Sequence, residues 1–287
     1  MNQDILPGLY LVSTPLGNME DCSDRMKRYL DQVDLIACED TREMKKMLSI
    51  LGIERNPKDI FSIHEHNEMQ MADKVVDLIR EGKSVAYASD AGMPGISDPG
   101  QILVDKVFDE NLFLTSIPGA TAVTTAISLS GFTNTGFSFL GFFPRSKKEQ
   151  DHVFEFVKKS LHPIAFYESP KRLSTTLSLL DSILGSSRRA LVCRELTKKF
   201  EQISRSSLGD LKVEFSGENK GECVIVIEPD SQKSQNSKEV DTENIESTLK
   251  VLKAAGVSSK DAVQALSFIT DVPKNKLKEL FLNSSSS

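Results

Sequence analysis

The sequence predicts an α/β protein made of two α/β lobes and a small C-terminal helical segment. Three observations carry that expectation. Short apolar runs alternate with stretches of helical periodicity from residue 9 to residue 228, the pattern of strands joined by crossover helices. The rhythm is punctuated at Pro118-Gly119, and beyond it the later strands are separated by shorter pieces. The first sheet is therefore expected to be mostly parallel and the second mixed. Finally, residues 230–243 (DSQKSQNSKEVDTE) hold one aliphatic side chain among many Ser, Gln and Asn, which reads as a linker. The expected organisation is a first lobe over 1–118, a second over 119–230, a linker over 231–243 and a helical domain over 244–287.

Each element has its own signal. Residues 9–14 are a strand, and 24–33 place Met26, Leu30 and Val33 on one helical face. A second strand follows at 34–38. Asp40 with Glu43 three residues later predicts a capping box at the head of the next helix. Residues 60–63 are a short strand, 69–81 a helix with Val75, Val76 and Ile79 inward, and 85–89 a strand. Asp98-Pro99 with Gln101 reads as another helix start, with a cap, a proline in the first turn and a box partner. A strand at 113–117 closes the first half. The second half reads as helix 120–130, strand 137–142, helix 147–160, strand 164–168, helix 170–184, strand 190–195, helix 208–215 and strand 223–228. Three helices are expected at about 244–255, 259–269 and 274–282, where from Lys250 onward six lysines face three acids.

Composition narrows the function classes. In 287 residues, 39% are hydrophobic and 26% charged, an ordinary globular balance that can bury a core. No apolar run approaches the length of a membrane span, and the N-terminus has no basic, long apolar or cleavage-site region; the expectation is a cytoplasmic protein. A net charge of -6 excludes a uniformly basic coat but leaves room for a local basic patch. Cys22, Cys38, Cys193 and Cys223 form no CxxC pair, and the last three sit in strand-like runs as core thiols.

In open parallel sheets, ligands gather outside the carboxyl ends of the strands. Several loops stand there. Ser13-Thr14-Pro15-Leu16-Gly17-Asn18 joins a rigid proline to a permissive glycine. Residues 89–100 pack three Gly, two Pro and two Asp into twelve positions. The Asp98-Pro99 end is accounted for as a helix cap, whereas Asp90 beside Gly92 is placed to accept from ribose hydroxyls or an amine. Pro118-Gly119-Ala120-Thr121-Ala122 lets a ligand approach a helix N-terminus, or simply packs tightly. Glu39-Asp40-Thr41-Arg42 reads as a cap with an ion pair or as site residues. His64 and His66 share a face of an extended segment. No Cys lies near and the other histidines are distant, so they suit a polar groove better than a metal, and no metal is expected. Charged clusters end two later strands, at 166–172 and 194–201, and Lys220-Gly221-Glu222 precedes the last. No P-loop, G-x-G-x-x-G or G-x-S-x-G motif is present, which argues against a P-loop NTPase, a Rossmann enzyme and an α/β-hydrolase.

Taken in order, LYLVSTPLGN, EDTR, HEHNE, SDAGMPGISDPG, PGATA, GFFPR, FYESPKRL, RELTKKFE and KGE-CVIVIE resemble the tetrapyrrole methylase superfamily. Within it they resemble the branch of ribosomal RNA small-subunit cytidine 2′-O-methyltransferases. The resemblance covers residues 9–229 and continues weakly into the helical tail. It departs at Ser13, Met93 and Pro170-Lys171, where proline, threonine and Thr-His are familiar.

The resemblance implies S-adenosylmethionine in a cleft between the lobes, a homodimer, and a substrate in ribosomal RNA or the small ribosomal subunit. By residue matching, the cofactor would contact Pro15, Ser89, Asp90, Ala91, Gly92, Thr121, Ala122, Tyr167, Glu168, Gly221 and Glu222. A ribose hydroxyl is a poor nucleophile, so a proton acceptor helps. The candidates are Glu39, Asp40, Glu168 and Glu195, with Glu65 and Asp90 also in reach of the motifs. Arg42, Arg145, Lys171, Arg172, Arg194, Lys198, Lys274, Lys276 and Lys278 are expected to hold phosphates. Two other functions compete. A small-molecule tetrapyrrole methyltransferase would lack the EDTR and HEHNE charges and the basic tail. A non-enzymatic RNA-binding module would not bind the cofactor.

Overall fold

Five strands from the first half of the chain lie side by side, all parallel, in the order β3-β2-β4-β1-β5. They are β1 (Gly8–Val12), β2 (Leu35–Cys38), β3 (Ile60–Ser62), β4 (Ser84–Ala88) and β5 (Leu114–Ile117). The computed structural model describes residues 5–132, 136–230, 242–270 and 272–283. Parallel neighbours cannot be joined by hairpins, so helices return the chain: α1 (Asp24–Gln32), α2 (Thr41–Ile50), α3 (Glu68–Arg80) and α4 (Gln101–Asp109). Side chains of β1 and β4 alternate between two cores. Tyr10, Val12, Ala86 and Ala88 pack with Met26, Leu30, Met44 and Leu48 on one face. Leu9, Val85 and Tyr87 pack with Val75, Ile79, Leu103 and Val107 on the other. Both faces are covered, which is why β4 is buried along its whole length.

The head of α4 differs from the sequence expectation. Asp98 does not cap it: the helix begins at Gln101, Gly100 is the capping residue with φ +130°, and no cap side chain bonds its amides. Instead Glu68, at the start of α3 and 7% exposed, reaches across. Its Oε1 accepts from the backbone N–H of Gly100 (2.8 Å) and Ile102 (2.9 Å). One carboxylate thus satisfies orphan donors from a different helix, and Asp98 is released. At α2 the expectation holds in half: Asp40 Oδ1 accepts from the Arg42 N–H at 2.7 Å. The Asp40 N–H, however, donates to Asp90 Oδ1 at 3.1 Å, while Glu43 pairs with Lys46.

The second sheet is mixed, in the order β6-β7-β10-β8-β9. Its strands are β6 (Ser138–Phe142), β7 (Ile164–Glu168), β8 (Arg189–Arg194), β9 (Gln202–Ser207) and β10 (Cys223–Ile227). Only β6 and β7 run parallel. Helices α5 (Ala122–Ser130), α6 (Lys147–Lys159), α7 (Pro170–Leu184) and α8 (Leu208–Glu214) complete it. Phe166, Val192 and Ile225 face Leu173, Leu177, Leu208 and Leu211. Ala165, Leu191 and Val224 face Val123, Ala126 and Ile127 of α5, and Leu16 from the loop after β1 joins that cluster. Strand β9 has no counterpart in the sequence reading. Its one large apolar residue, Ile203, is exposed, as befits an edge strand. Ser206 bonds Asp210 of α8 at 2.7 Å instead of feeding a core.

The described residues fall into two compact units, one carrying both sheets and one carrying the helices beyond Pro229. In the second, α9 (Thr242–Ala254), α10 (Ser259–Ile269) and α11 (Lys274–Asn283) enclose Ile245, Leu249, Ala262, Leu266, Leu277 and Phe281. Helix α9 opens two residues before the expected start at 244. Most of the expected linker, 231–241, and the tail 284–287 lie outside the described residues.

Candidate functional site

The loops after β1 and β4 are knitted together. Thr14 and Gly92 exchange backbone hydrogen bonds, Thr14 N–H to Gly92 O at 2.9 Å and Gly92 N–H to Thr14 O at 3.0 Å. Ser89 Oγ donates to Gly92 O at 3.0 Å, and Thr14 Oγ1 donates to Ser89 O at 3.1 Å. Gly92 needs its left-handed φ of +84° for this, and a Cβ there would stand 3.3 Å from Leu16 Cδ2. The knot fixes the floor of a cavity at the carboxyl ends of the first sheet.

That cavity has a volume of about 300 Å³, at the small end of ligand-binding clefts. Leu16, Met93 and Ile96 border it from the first sheet's loops, and Tyr167, Leu196 and Val224 from the second sheet. Of the residues expected to hold a cofactor, Ala91, Gly92, Thr121, Ala122, Tyr167, Glu168 and Glu222 border it. Pro15, Ser89, Asp90 and Gly221 are not among the residues that border it. Ser89 is 1% exposed and belongs to the knot. Asp90 anchors the Asp40 amide. Gly221, φ +83°, leaves room for Glu195: a Cβ would fall 2.2 Å from Glu195 Cδ.

The four expected proton acceptors sit in very different surroundings. Glu39, half-buried at the end of β2, has one carboxylate oxygen sealed from solvent without a partner. Burial, with the charges of Asp98 and Asp90, pushes its carboxyl up to about 7. Asp40 is engaged by the Arg42 guanidinium, Nη2 to Oδ2 at 2.5 Å. Those hydrogen bonds hold it down to about 2, so it stays an ion pair and cap. The Glu168 side chain is fully enclosed, accepting from the Ser169 N–H at 2.7 Å and Thr176 Oγ1 at 2.5 Å, with Arg172 at 3.5 Å. Both of its carboxylate oxygens are engaged by protein groups, so it anchors the head of α7. Burial favours the neutral form of Glu195, but Lys198 Nζ at 3.0 Å and the Glu222 N–H at 3.1 Å outweigh it and hold the carboxyl below its ordinary value.

Lys198 also reaches Glu222 at 2.9 Å, closing a clamp of two acids and one base beside Gly221. Of the residues expected to hold phosphates, Lys198, Arg172 and Arg194 are thus committed to protein acceptors. Arg172 donates to Pro144 O at 2.9 Å, and Arg194 to Lys220 O at 3.0 Å. Arg42 is exposed but paired with Asp40, while Arg145, Lys171, Lys274, Lys276 and Lys278 are exposed. Among the described residues no group of three or more His, Cys, Asp or Glu is arranged to hold a metal. All four thiols are buried. Burial pushes Cys193 and Cys223, which border the cavity, up to about 12, so they stay protonated.

Among the lining residues that the sequence did not single out as site residues, Asp98 and Phe142 stand out. Asp98 borders the cavity, and burial with the charges of Asp90 and Glu222 raises it to about 6. The signal was masked by its resemblance to a helix cap. Phe142, 58% exposed at the end of β6, stands edge-on to Tyr167 with ring centres 5.5 Å apart; its signal was the exposed Phe in GFFPR.

The family model described as Tetrapyrrole (Corrin/Porphyrin) Methylases matches residues 8–212. Ribosomal RNA small subunit methyltransferase I of Halalkalibacterium halodurans is 39% identical over 277 residues, covering 95% of this chain and 94% of that protein. The protein of the same name from Bacillus subtilis is 38% identical over 284 residues, covering 95% and 93%. Among solved structures, diphthine synthase shares the fold with a TM-score of 0.60 at 14% identity, covering 77% of this chain and 89% of that one. Uroporphyrin-III C-methyltransferase from Thermus thermophilus, complexed with S-adenosyl homocysteine, gives 0.54 at 13% identity, covering 76% and 96%.

Proposed function

This chain belongs to the tetrapyrrole methylase family, and from that premise we propose that it transfers a methyl group from S-adenosylmethionine to the ribose 2′-hydroxyl of a cytidine in small-subunit ribosomal RNA. The observation that carries the reading is the match, over 95% of the chain, to proteins named ribosomal RNA small subunit methyltransferase I. The cavity agrees with the donor's chemistry. Its lining is largely apolar, Gly92 admits a close approach to main chain, and acidic groups favour a cation. The donor supplies an activated methyl group on a positively charged sulfur.

The residues of the chain do the rest. Ala91, Gly92, Thr121 and Ala122 supply small side chains against which the donor rests. Tyr167 offers an aromatic surface, and the Glu195–Lys198–Glu222 clamp fixes the backbone on the far wall. Holding donor and hydroxyl in line accounts for much of the acceleration. Exposed Arg145 and Lys171, and the lysines of α11, are suited to phosphates, which position RNA without reading its sequence, and Arg42 could join them only by sharing its guanidinium with Asp40. A target base splayed from its stack meets Phe142, whose exposed ring suits stacking. In this reading the lobes 1–118 and 119–230 share the donor, 244–287 is an RNA-holding segment, and the protein works as a cytoplasmic homodimer. Among the described residues no helix is long and apolar enough to cross a membrane.

The test is methyl transfer from labelled S-adenosylmethionine to small ribosomal subunits, to free ribosomal RNA and to precorrin acceptors. Label on a cytidine ribose supports the proposal. Label on the tetrapyrrole alone would replace it with the small-molecule reading. Calorimetry showing no donor binding would leave an RNA-binding module.

A further inference from the structure

We propose that Phe200 and Lys199 hold an unpaired nucleotide beside the one being methylated, the ring stacking on its base and the lysine taking its phosphate, a role that rests on the methyl-transfer reading above. Both residues stand in the loop 195–201 between β8 and β9. Leu196 of the same loop borders the cavity, so the loop forms part of its rim.

The loop is built, not loose. Glu195 and Thr197 both lie in the left-handed region, at φ +52° and +66°. For Thr, with its branched Cβ, that conformation is costly and persists only where the surroundings enforce it. Three contacts enforce it here. Lys198 Nζ reaches Glu195 at 3.0 Å and Glu222 at 2.9 Å. The Lys198 stem packs on Gly17 in the loop after β1, where a Cβ would fall 2.5 Å from Lys198 Cγ. The Thr197 N–H donates to Glu201 Oε2 at 2.6 Å. Thr197 Oγ1 is sealed from solvent without a partner, a further cost of the turn. The outcome is that Lys198 is held against the protein while the next two side chains are exposed.

Those two side chains are a cation and a ring. Phe200 is 68% exposed, more than any other Phe among the described residues. Lys199 Nζ lies 5.6 Å from the centre of that ring. No carboxylate pairs with Lys199 among the described residues. A scattered exposed Phe needs no explanation; one carried on an enforced turn at a cavity rim does. Its chain neighbours are Lys198, Lys199, Glu201 and Gln202, a charged setting unlike the apolar centre of a protein interface. An aromatic ring beside a cation suits single-stranded nucleic acid, because every base offers a π face and carries a phosphate.

Phe142 is displayed by a different device, a break in the β6–β7 register at Gly141, φ +67°. Strands β6 and β8 point the same way, so both rings stand at the same end of the second sheet. The two strands are three steps apart in the sheet, about 14 Å at the usual strand spacing. The rings therefore cannot grip one base: Phe142 meets the target and Phe200 a neighbour on the same strand.

The experiment uses the full chain and compares the unsubstituted protein with Phe200→Ala, Phe200→Leu, Phe200→Trp and Lys199→Ala. Calorimetry measures S-adenosylmethionine affinity, equilibrium binding and steady-state transfer use small ribosomal subunits, and sedimentation gives the mass. For Phe200→Ala the expected result is subunit binding weakened roughly 5- to 150-fold, with donor affinity and mass unchanged. It appears as a raised KM with kcat within about threefold, the pattern of lost substrate binding. Phe200→Leu, which keeps apolar bulk without a ring, behaves like Ala, and Phe200→Trp binds like the parent. Lys199→Ala flattens the salt dependence by about 0.7 in log–log slope. Parent-like subunit binding by Phe200→Ala or Phe200→Leu overturns the stacking role. A lower mass for Phe200→Ala places the ring against a second copy of the chain and overturns it as well. An unaltered salt slope in Lys199→Ala overturns the phosphate contact. Should Phe200→Ala lose donor affinity too, the loop has shifted and the Leu variant decides: weak subunit binding with normal donor affinity upholds the role, and any other result overturns it. No transfer by the unsubstituted protein overturns the methyl-transfer reading itself, and the role with it.

Discussion

Glu68 Oε1 lies 2.8 Å from the backbone nitrogen of Gly100, thirty-two positions further along the chain, and does at α4 what a local cap does elsewhere. The carboxylate ties the start of α3 to the end of the cavity loop. It is buried, so its replacement is costly. Glu68→Ala strands the amides of Gly100 and Ile102 and is expected to lower stability by about 2–3 kcal/mol. Glu68→Gln, which keeps an acceptor, costs less. Urea unfolding with an unchanged slope checks both, and an Ala variant as stable as the parent contradicts the assignment.

Gly221 and Glu195 form a second interlock. A methyl group on Gly221 would collide with the Glu195 carboxyl on a backbone already at φ +83°. Gly221→Ala is expected to destabilise the fold by more than ~1 kcal/mol and to weaken donor binding through Glu222. If the collision matters, Glu195→Ala in the same chain recovers part of the stability, and the double-mutant cycle shows coupling. Strictly additive losses would mean that backbone strain alone is responsible.

Glu39 gives a pH-dependent signature. Its carboxyl is raised from 4.5 to about 7 in the folded protein, mainly by burial. The folded state therefore holds a proton that the unfolded chain releases, and ionising Glu39 opposes folding progressively from about pH 4.5 to about pH 7. Glu39→Gln removes that penalty. The variant should melt higher than the parent at pH 8, with the gap shrinking at pH 5. A gap independent of pH contradicts the shift.

The lysines of α11 allow a separate test of RNA holding. Lys274, Lys276 and Lys278 are exposed while Leu277 and Phe281 of the same helix are buried. Charge reversal at the three should spare the fold and the donor affinity. RNA affinity should fall, and its salt dependence should flatten by about 0.7 in log–log slope per lost phosphate contact. An unchanged salt slope removes α11 from the interface.

Much of this was legible in the residues because period and punctuation agree. Apolar runs such as CVIVI could only be buried strands, and Met26 and Leu30 recur on one helical face. The Gly-rich loop 89–100 announced itself by composition. What could not be read involved partners distant in sequence. Strand β9 is almost wholly polar and exists because β8 offers it an edge. Asp98 looked like a cap because nothing local reveals that Glu68 has taken that task. Glu168 and Glu195 looked like chemistry because their partners, Thr176 and the amide of Glu222, become neighbours only in the folded chain.

The most direct measurement of the central claim is a map of ribose methylation across small-subunit ribosomal RNA, from cells with and without this chain. The account predicts that one cytidine loses its 2′-O-methyl group when the chain is absent and regains it when purified protein and S-adenosylmethionine are added to the isolated subunits. An identical methylation map in both cells, with no transfer to the isolated subunits, would contradict it.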